Sequence, residues 1–163
     1  MAEKYSRMSA EQGLGEVVER LAGRFAKTQG GLIPLLHALQ DEIGYIDDAA
    51  IPLIAQALNI SRADVHGVVT FYHDFRHRPA GRHVVKFCRA ESCQARGGAA
   101  MERAAADRLG VAMGKTRDDG QVTLEPVYCL GLCAIGPNAL VDGQPVARVD
   151  AAALDRIARL VAA

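Results

Sequence analysis

The chain has 163 residues, half of them apolar, and its nineteen basic residues are balanced by nineteen acidic ones. That is enough apolar material for one domain or two small ones, so no metal staple is needed merely to fold. Balanced charge gives no electrostatic reason to expect nucleic acid or an acidic membrane as partner, and no apolar run approaches the roughly 18 residues of a membrane span. The start, Met-Ala-Glu-Lys-Tyr-Ser-Arg, shows no apolar signal segment, so the expectation is a cytoplasmic chain with reduced thiols.

The first half reads as a run of helices. Ser9 with Gln12 makes a capping box ahead of Leu14, Val17, Val18, Leu21 and Phe25 on one helical face. Gly30-Gly31 breaks the chain, and Pro34 suits the first turn of a second helix with Leu32, Leu35, Leu36, Leu39 and Ile43 inside and Gly44 at its end. A third helix is expected from Asp47-Asp48, with Pro52 in its first turn and Ile51, Ile54 and Leu58 buried. Ser61 with Asp64 opens a fourth, whose apolar face is Val65, Val68, Val69 and Tyr72. Residues 1–75 thus read as a four-helix bundle.

The polar Pro/Gly stretch 76–82 reads as a linker, and the texture changes at His83. Val84 to Phe87 is a β-run ending at Cys88, followed by an alanine-rich helix from Ser92 to Leu109 with Met101, Ala104, Ala105 and Leu109 inside. A second strand runs from Gln121 to Val127. Ala139–Val141 and Val146–Val149 then flank an Asp142-Gly143 turn, with Pro145 suited to an edge strand. Asp150 caps a last helix carrying Leu154, Ile157, Leu160 and Val161. Residues 83–163 therefore read as a thioredoxin-like β-α-β-β-β-α domain, and the whole chain as α+β.

All four cysteines lie in this second half, as Cys88-x4-Cys93 and Cys129-x3-Cys133 separated by 35 residues. Thiolates are soft donors, and four converging on one point make a tetrahedral-sulfur site for zinc or an iron–sulfur cluster. Redox dithiols and disulfides are the alternatives. A strand, a helix and a parallel strand place both strand ends on one edge of a sheet, which would bring the two cysteine loops together there. The helix beginning near Ser92 would turn its positive end toward them, and Gly131 and Gly136 would let backbone N–H groups approach sulfur. The apolar surroundings of the second pair, Cys129-Leu-Gly-Leu-Cys133-Ala-Ile-Gly-Pro, weigh against a nucleic-acid zinc module.

Other candidates are weaker. His73 and His77 are spaced like helical metal ligands but lack a completing set, and His37 reads as packed or surface. Arg89 could offset charge beside Cys88, or simply be solvated. Gly13-Leu14-Gly15 lacks the third glycine and preceding strand of a dinucleotide fingerprint. Phe71, Tyr72 and Phe75 read as core or interface residues.

The four-cysteine pattern, with Leu130-Gly131 inside the second pair and Gly136-Pro137 after it, resembles the thioredoxin-like [2Fe-2S] ferredoxin family. The resemblance extends to Pro34-Leu35-Leu36-His37-Ala38-Leu39-Gln40, Gly44-Tyr45-Ile46 and Val69-Thr70-Phe71-Tyr72-His73-Asp74-Phe75. It implies one [2Fe-2S] cluster ligated by Cys88, Cys93, Cys129 and Cys133, in an electron-transfer subunit that is not catalytic when isolated. Within the family, Cys88-Arg-Ala-Glu-Ser-Cys93-Gln looks most like the gamma subunit of NAD-dependent formate dehydrogenase. The implied partners are an FMN- and NAD-binding iron–sulfur subunit and a larger molybdenum- or tungsten-containing formate dehydrogenase alpha subunit. The alternatives are the small subunit of NADH-quinone oxidoreductase or of an NAD-reducing hydrogenase and, in another class, a zinc-stabilised interaction module. Residues 1–75 are expected to dock the chain onto its flavin partner.

Overall fold

The apolar stripes of the first half form α1 (Ala10–Phe25), α2 (Leu32–Ile43), α3 (Ala50–Leu58) and α4 (Arg62–Phe71). The computed structural model describes residues 10–162. The Ser9–Gln12 capping box rests on side chains outside the described residues. Leu14, Val18 and Leu21 of α1 share one core with Leu35, Leu36 and Leu39 of α2, Ile51 and Ile54 of α3, and Val65 and Val69 of α4. α4 starts on a full capping box: Ser61 Oγ accepts the Asp64 N–H at 3.0 Å, and Asp64 Oδ2 accepts the Ser61 N–H at 3.1 Å. α3 begins later than expected, because the Asp47 carboxylate accepts the Ala49 N–H at 2.9 Å and holds residues 47–49 as a turn. Tyr72, expected on the buried face of α4, lies past the helix end on extended backbone and is 44 % exposed.

The chain divides into two compact units, Met1–Pro79 and Ala80–Ala163. The second runs β1 (His83–Cys88), α5 (Glu91–Ala95), α6 (Gly98–Leu109), β2 (Lys115–Thr116), β3 (Val122–Val127), a 3-10 turn (Cys133–Ile135), β4 (Ala139–Val141), β5 (Gln144–Val146) and α7 (Ala151–Val161). Its five-stranded sheet has the order β2-β3-β1-β4-β5. Among the described residues only β1 and β3 pair in parallel, joined by the helical crossover. Alternate residues Val85 and Phe87, Val122 and Leu124, and Ala139 and Val141 form one core with Ala105 and Leu109 of α6 and Leu154 and Ile157 of α7. Period-two alternation in the strands and period-3.6 stripes in the helices thus close on one face of the sheet. The Asp150 side chain accepts the Ala153 N–H at 2.7 Å and caps α7 as its position suggested.

The fold class expected from the sequence is the one observed, with four further local departures in the second unit. The single helix expected over 92–109 is two, because Gly97 takes a left-handed φ of 86° and ends α5 before α6 begins. β2 is an added edge strand of only two residues, too short to leave a periodic signal. β5 spans Gln144–Val146 rather than 146–149, since the two-residue Asp142-Gly143 turn, with both residues at positive φ, returns the chain immediately. Leu160 faces outward, 50 % exposed, while Val161 takes the core position.

Candidate metal centre

The parallel register pairs Cys88 with Val127, so β1 and β3 end side by side and Cys129 follows two residues later on the same edge. Cys93 lies inside the short α5, rather than on a turn leading into a long helix, and Cys133 opens the 3-10 turn. Two hydrogen bonds to backbone carbonyls help fasten the first cysteine segment to the loop that follows β3. The Cys88 N–H donates to the Asn138 carbonyl at 3.0 Å, and Ser92 Oγ donates to the Cys133 carbonyl at 3.1 Å. Glycine is required at one point beside Cys93 and eases the packing at another. A Cβ on Gly98 would stand 2.6 Å from the Cys93 carbonyl oxygen, and one on Gly136 would stand 3.3 Å from Cys93 Sγ.

The sulfurs come together as two pairs. Cys88 and Cys93 are buried, 4 % and 1 % exposed, and their thiols hydrogen-bond each other. Cys129 and Cys133 are exposed, with Sγ atoms 3.7 Å apart. Burial pushes the Cys88 thiol up, but N–H groups of Ala90, Cys129 and Leu130 and the Cys93 thiol outweigh it and hold Cys88 below the usual thiol range. The second loop thus turns its backbone donors onto the first pair's sulfur, and Cys129 adopts a left-handed φ of 78°, rare for a side-chain-bearing residue. Burial and then the Cys88 thiol hold Cys93 above the usual range, while the Cys129 thiol holds Cys133 above it. A proton is therefore easier to remove from one member of the buried pair than from the other.

This donor set fits a two-iron cluster better than one zinc ion. Two thiolates on one tetrahedral metal at about 2.3 Å stand about 3.8 Å apart, and the Cys129–Cys133 separation is 3.7 Å. Among the described residues, no three histidine, cysteine, aspartate or glutamate side chains gather closely enough to hold a single ion. Four thiolates in two pairs suit two irons, each taking one pair. The four cysteines are free thiols, and 3.7 Å is far beyond a disulfide bond of about 2.05 Å.

The remaining candidates fall elsewhere. His73 and His77 are both exposed, and His77 Nδ1 lies 3.9 Å from Asp48 Oδ1. His37 is exposed, with its ring centroid 4.9 Å from that of buried Phe75. Arg89 Nε is 3.0 Å from Glu102 Oε2, so its charge is directed at a carboxylate of α6. Phe71 is 73 % exposed. The sequence did not single out Ser92 or Asn138 as parts of the site: serine and asparagine are common in loops, and only the tertiary structure aims them at the cysteine segments. Among the described residues no helix is long and apolar enough to cross a membrane.

Comparison with known proteins bears on fold and family. The E subunit of the NADH-quinone oxidoreductase of Escherichia coli (strain K12) is 35 % identical over 127 residues, which are 78 % of this chain and 76 % of that protein. Its counterpart from Pseudomonas aeruginosa is 34 % identical over 125 residues, 77 % of this chain and 75 % of the relative. A crystal structure of an NAD+-reducing [NiFe]-hydrogenase in the air-oxidized state contains a chain that superposes with a TM-score of 0.70 at 24 % identity. That superposition covers 81 % of this chain but 23 % of the hydrogenase chain, and at this identity it speaks for the fold alone. The model of the thioredoxin-like [2Fe-2S] ferredoxins, a family carrying one [2Fe-2S] cluster, matches residues 18–162. With that match spanning most of both units, and with relatives above 30 % identity matched over three quarters of their own length, the chain belongs to the thioredoxin-like [2Fe-2S] ferredoxin family.

Proposed function

We propose that Cys88, Cys93, Cys129 and Cys133 hold one [2Fe-2S] cluster, the buried pair on one iron and the exposed pair on the other. The chain would then serve as the small electron-transfer subunit of a cytoplasmic NAD-dependent oxidoreductase. The observation that carries this reading is the meeting of two cysteine segments on one sheet edge, with Ser92 Oγ bonded to the Cys133 carbonyl and the Cys88 N–H to the Asn138 carbonyl. Bound there, the cluster supplies single-electron chemistry, whereas NAD accepts a hydride, so a flavin-bearing partner is needed to convert one into the other. Cys88 and Cys93 bury one side of the site, and Cys129 and Cys133 leave the other open toward such a partner. Anaerobically purified protein should contain two irons and two acid-labile sulfides per chain; one zinc and no sulfide would overturn the reading.

For the parent complex we favour an NAD-dependent formate dehydrogenase, with this chain as its gamma subunit beside an FMN subunit and a molybdenum- or tungsten-containing alpha subunit. The support is the Cys88-Arg-Ala-Glu-Ser-Cys93-Gln segment. The second reading is the corresponding small subunit of NADH-quinone oxidoreductase, favoured by the 35 % identity to the Escherichia coli relative. Affinity purification from native cells decides between them by which catalytic subunit accompanies the chain. We assign residues 1–75 to docking on the flavin subunit. Residues 76–163 alone should then assemble a cluster yet fail to co-purify with it, and undiminished binding by this fragment would remove the docking role.

A further inference from the structure

Asn138 follows the second cysteine loop and is 1 % exposed. Three segments of the site meet on it. Its carbonyl accepts the Cys88 N–H at 3.0 Å, and its side-chain Nδ2 donates to the Leu132 carbonyl at 2.7 Å and to Cys93 Sγ at 3.7 Å. The amide orientation is fixed, because exchanging Oδ1 and Nδ2 would set two carbonyl oxygens against each other at Leu132. In this orientation Oδ1 is buried without a hydrogen-bond partner among the described residues. Leaving a buried acceptor unpaired is unfavourable, and an apolar side chain of similar size would avoid it while filling the same space. The two N–H bonds of the amide are what such a side chain could not provide.

We infer that Asn138 is a positioning residue that also raises the reduction potential of the cluster, by donating N–H to the sulfur of Cys93. This rests on the reading that the four cysteines hold a [2Fe-2S] cluster. Reduction adds one negative charge, part of which resides on the ligating sulfurs, and a donor aimed at one of them stabilises the reduced form more than the oxidised form. The bond to Leu132 keeps the amide from rotating away and ties the second loop to the same side chain. Gly136 leaves room for this approach: a Cβ there would lie a tight 3.3 Å from Cys93 Sγ and in ordinary contact, 3.6 Å, with Asn138 Nδ2.

The test compares full-length wild type with Asn138→Leu, similar in volume without a donor, and Asn138→Ala, smaller and without a donor. Iron and sulfide are assayed in each protein, and the potential is measured by titration followed by electron paramagnetic resonance of the reduced cluster. Both variants should retain the cluster and favour its oxidised form about threefold to tenfold more than wild type. That is a midpoint about 30 to 60 mV more negative, at 59 mV per tenfold for a one-electron couple. If Asn138→Leu does not load, the midpoint of Asn138→Ala decides. An unchanged potential in a loaded variant overturns the tuning role. Loss of the cluster in both variants leaves Asn138 as a structural clamp alone and also overturns it. Wild type with no [2Fe-2S] cluster would instead be a failure of the underlying reading, separable because it appears before any substitution.

Discussion

The two cysteine pairs are held in opposite ways. Cys88 and Cys93 belong to regular elements, one ending β1 and the other inside α5, and both are buried within the sheet unit. Cys129 and Cys133 are exposed on a loop whose only regular feature is a three-residue 3-10 turn. The second pair takes its place largely through bonds to the first segment: Ser92 on the Cys133 carbonyl, and the N–H groups of Cys129 and Leu130 on the Cys88 sulfur. One pair is thus positioned by the core and the other by hydrogen bonds to it. With the proposed cluster in place, this division would let the buried pair define the site while the open pair faces whatever exchanges electrons with it.

The largest expected effect tests that difference directly. Cys93→Ser and Cys129→Ser should both lose the cluster, because each replaces a soft thiolate with a harder oxygen donor. Their apo forms should differ. Serine at position 93 places a hydroxyl in a site that is 1 % exposed; its shorter C–O bond draws it back from the Asn138 Nδ2 that stands 3.7 Å from Cys93 Sγ, and burying it so poorly paired costs about 1–3 kcal/mol. Serine at the exposed position 129 should stay within about 0.5 kcal/mol of wild type. Iron assays with urea melts of the metal-free proteins check both parts. Full iron occupancy in either variant would remove that cysteine from the ligand set, and equal apo stabilities would remove the contrast between the pairs.

A smaller effect is expected where the buried pair meets α6. The Gly98→Ala methyl would sit 2.6 Å from the Cys93 carbonyl oxygen, a backbone atom that cannot swing aside. The better helix propensity of alanine does not compensate for such a clash, so a loss of about 1–3 kcal/mol is expected, with reduced iron occupancy as Cys93 shifts. Thermal melts and iron content measure it; a stabilised, fully loaded variant would show that the α5–α6 junction does not position Cys93.

How far the sequence could anticipate these features follows from the range of the forces involved. The helical stripes, the Ser61–Asp64 box, the Asp142-Gly143 turn and the convergence of the cysteine loops are set by local chemistry or by the handedness of the β1–β3 crossover, and all were readable. The break at Gly97 was not, because Gly97-Gly98 lies in an alanine-rich run whose periodicity continues across it. Tyr72 and Leu160 occupy apolar positions of correctly read helices, yet both lie at helix ends, where the backbone leaves the core-facing register. Asn138 shows the limit most clearly. Its importance rests on contacts with Cys88 and Cys93, separated from it by 50 and 45 residues, and no local pattern encodes them.

The smallest effect asks whether the helical unit acts on the site at all. Ser61 Oγ accepts the N3 amide of α4 and donates to Asp64 Oδ2 at 2.7 Å; replacing it with alanine leaves that amide without its cap and removes the hydroxyl bond to the carboxylate, while the backbone N–H of residue 61 still donates there. Removing such a cap costs about 1 kcal/mol. The bond also holds the Asp64 carboxyl below its usual range, with the Ser61 hydroxyl as the main cause and the Ser61 N–H second. That part of the stability is present above the ordinary carboxylate range and fades as pH falls through the lowered value, so the gap between wild type and Ser61→Ala should narrow in acid. Because the cysteines all lie in the other compact unit, iron content and cluster spectrum should not change. Urea melts at neutral and acidic pH, followed through helical circular dichroism, give the first quantity, and visible absorption gives the second. A Ser61→Ala protein with an altered cluster spectrum would show that the two units are coupled, and the helical unit would then shape the site as well as carry the proposed dock.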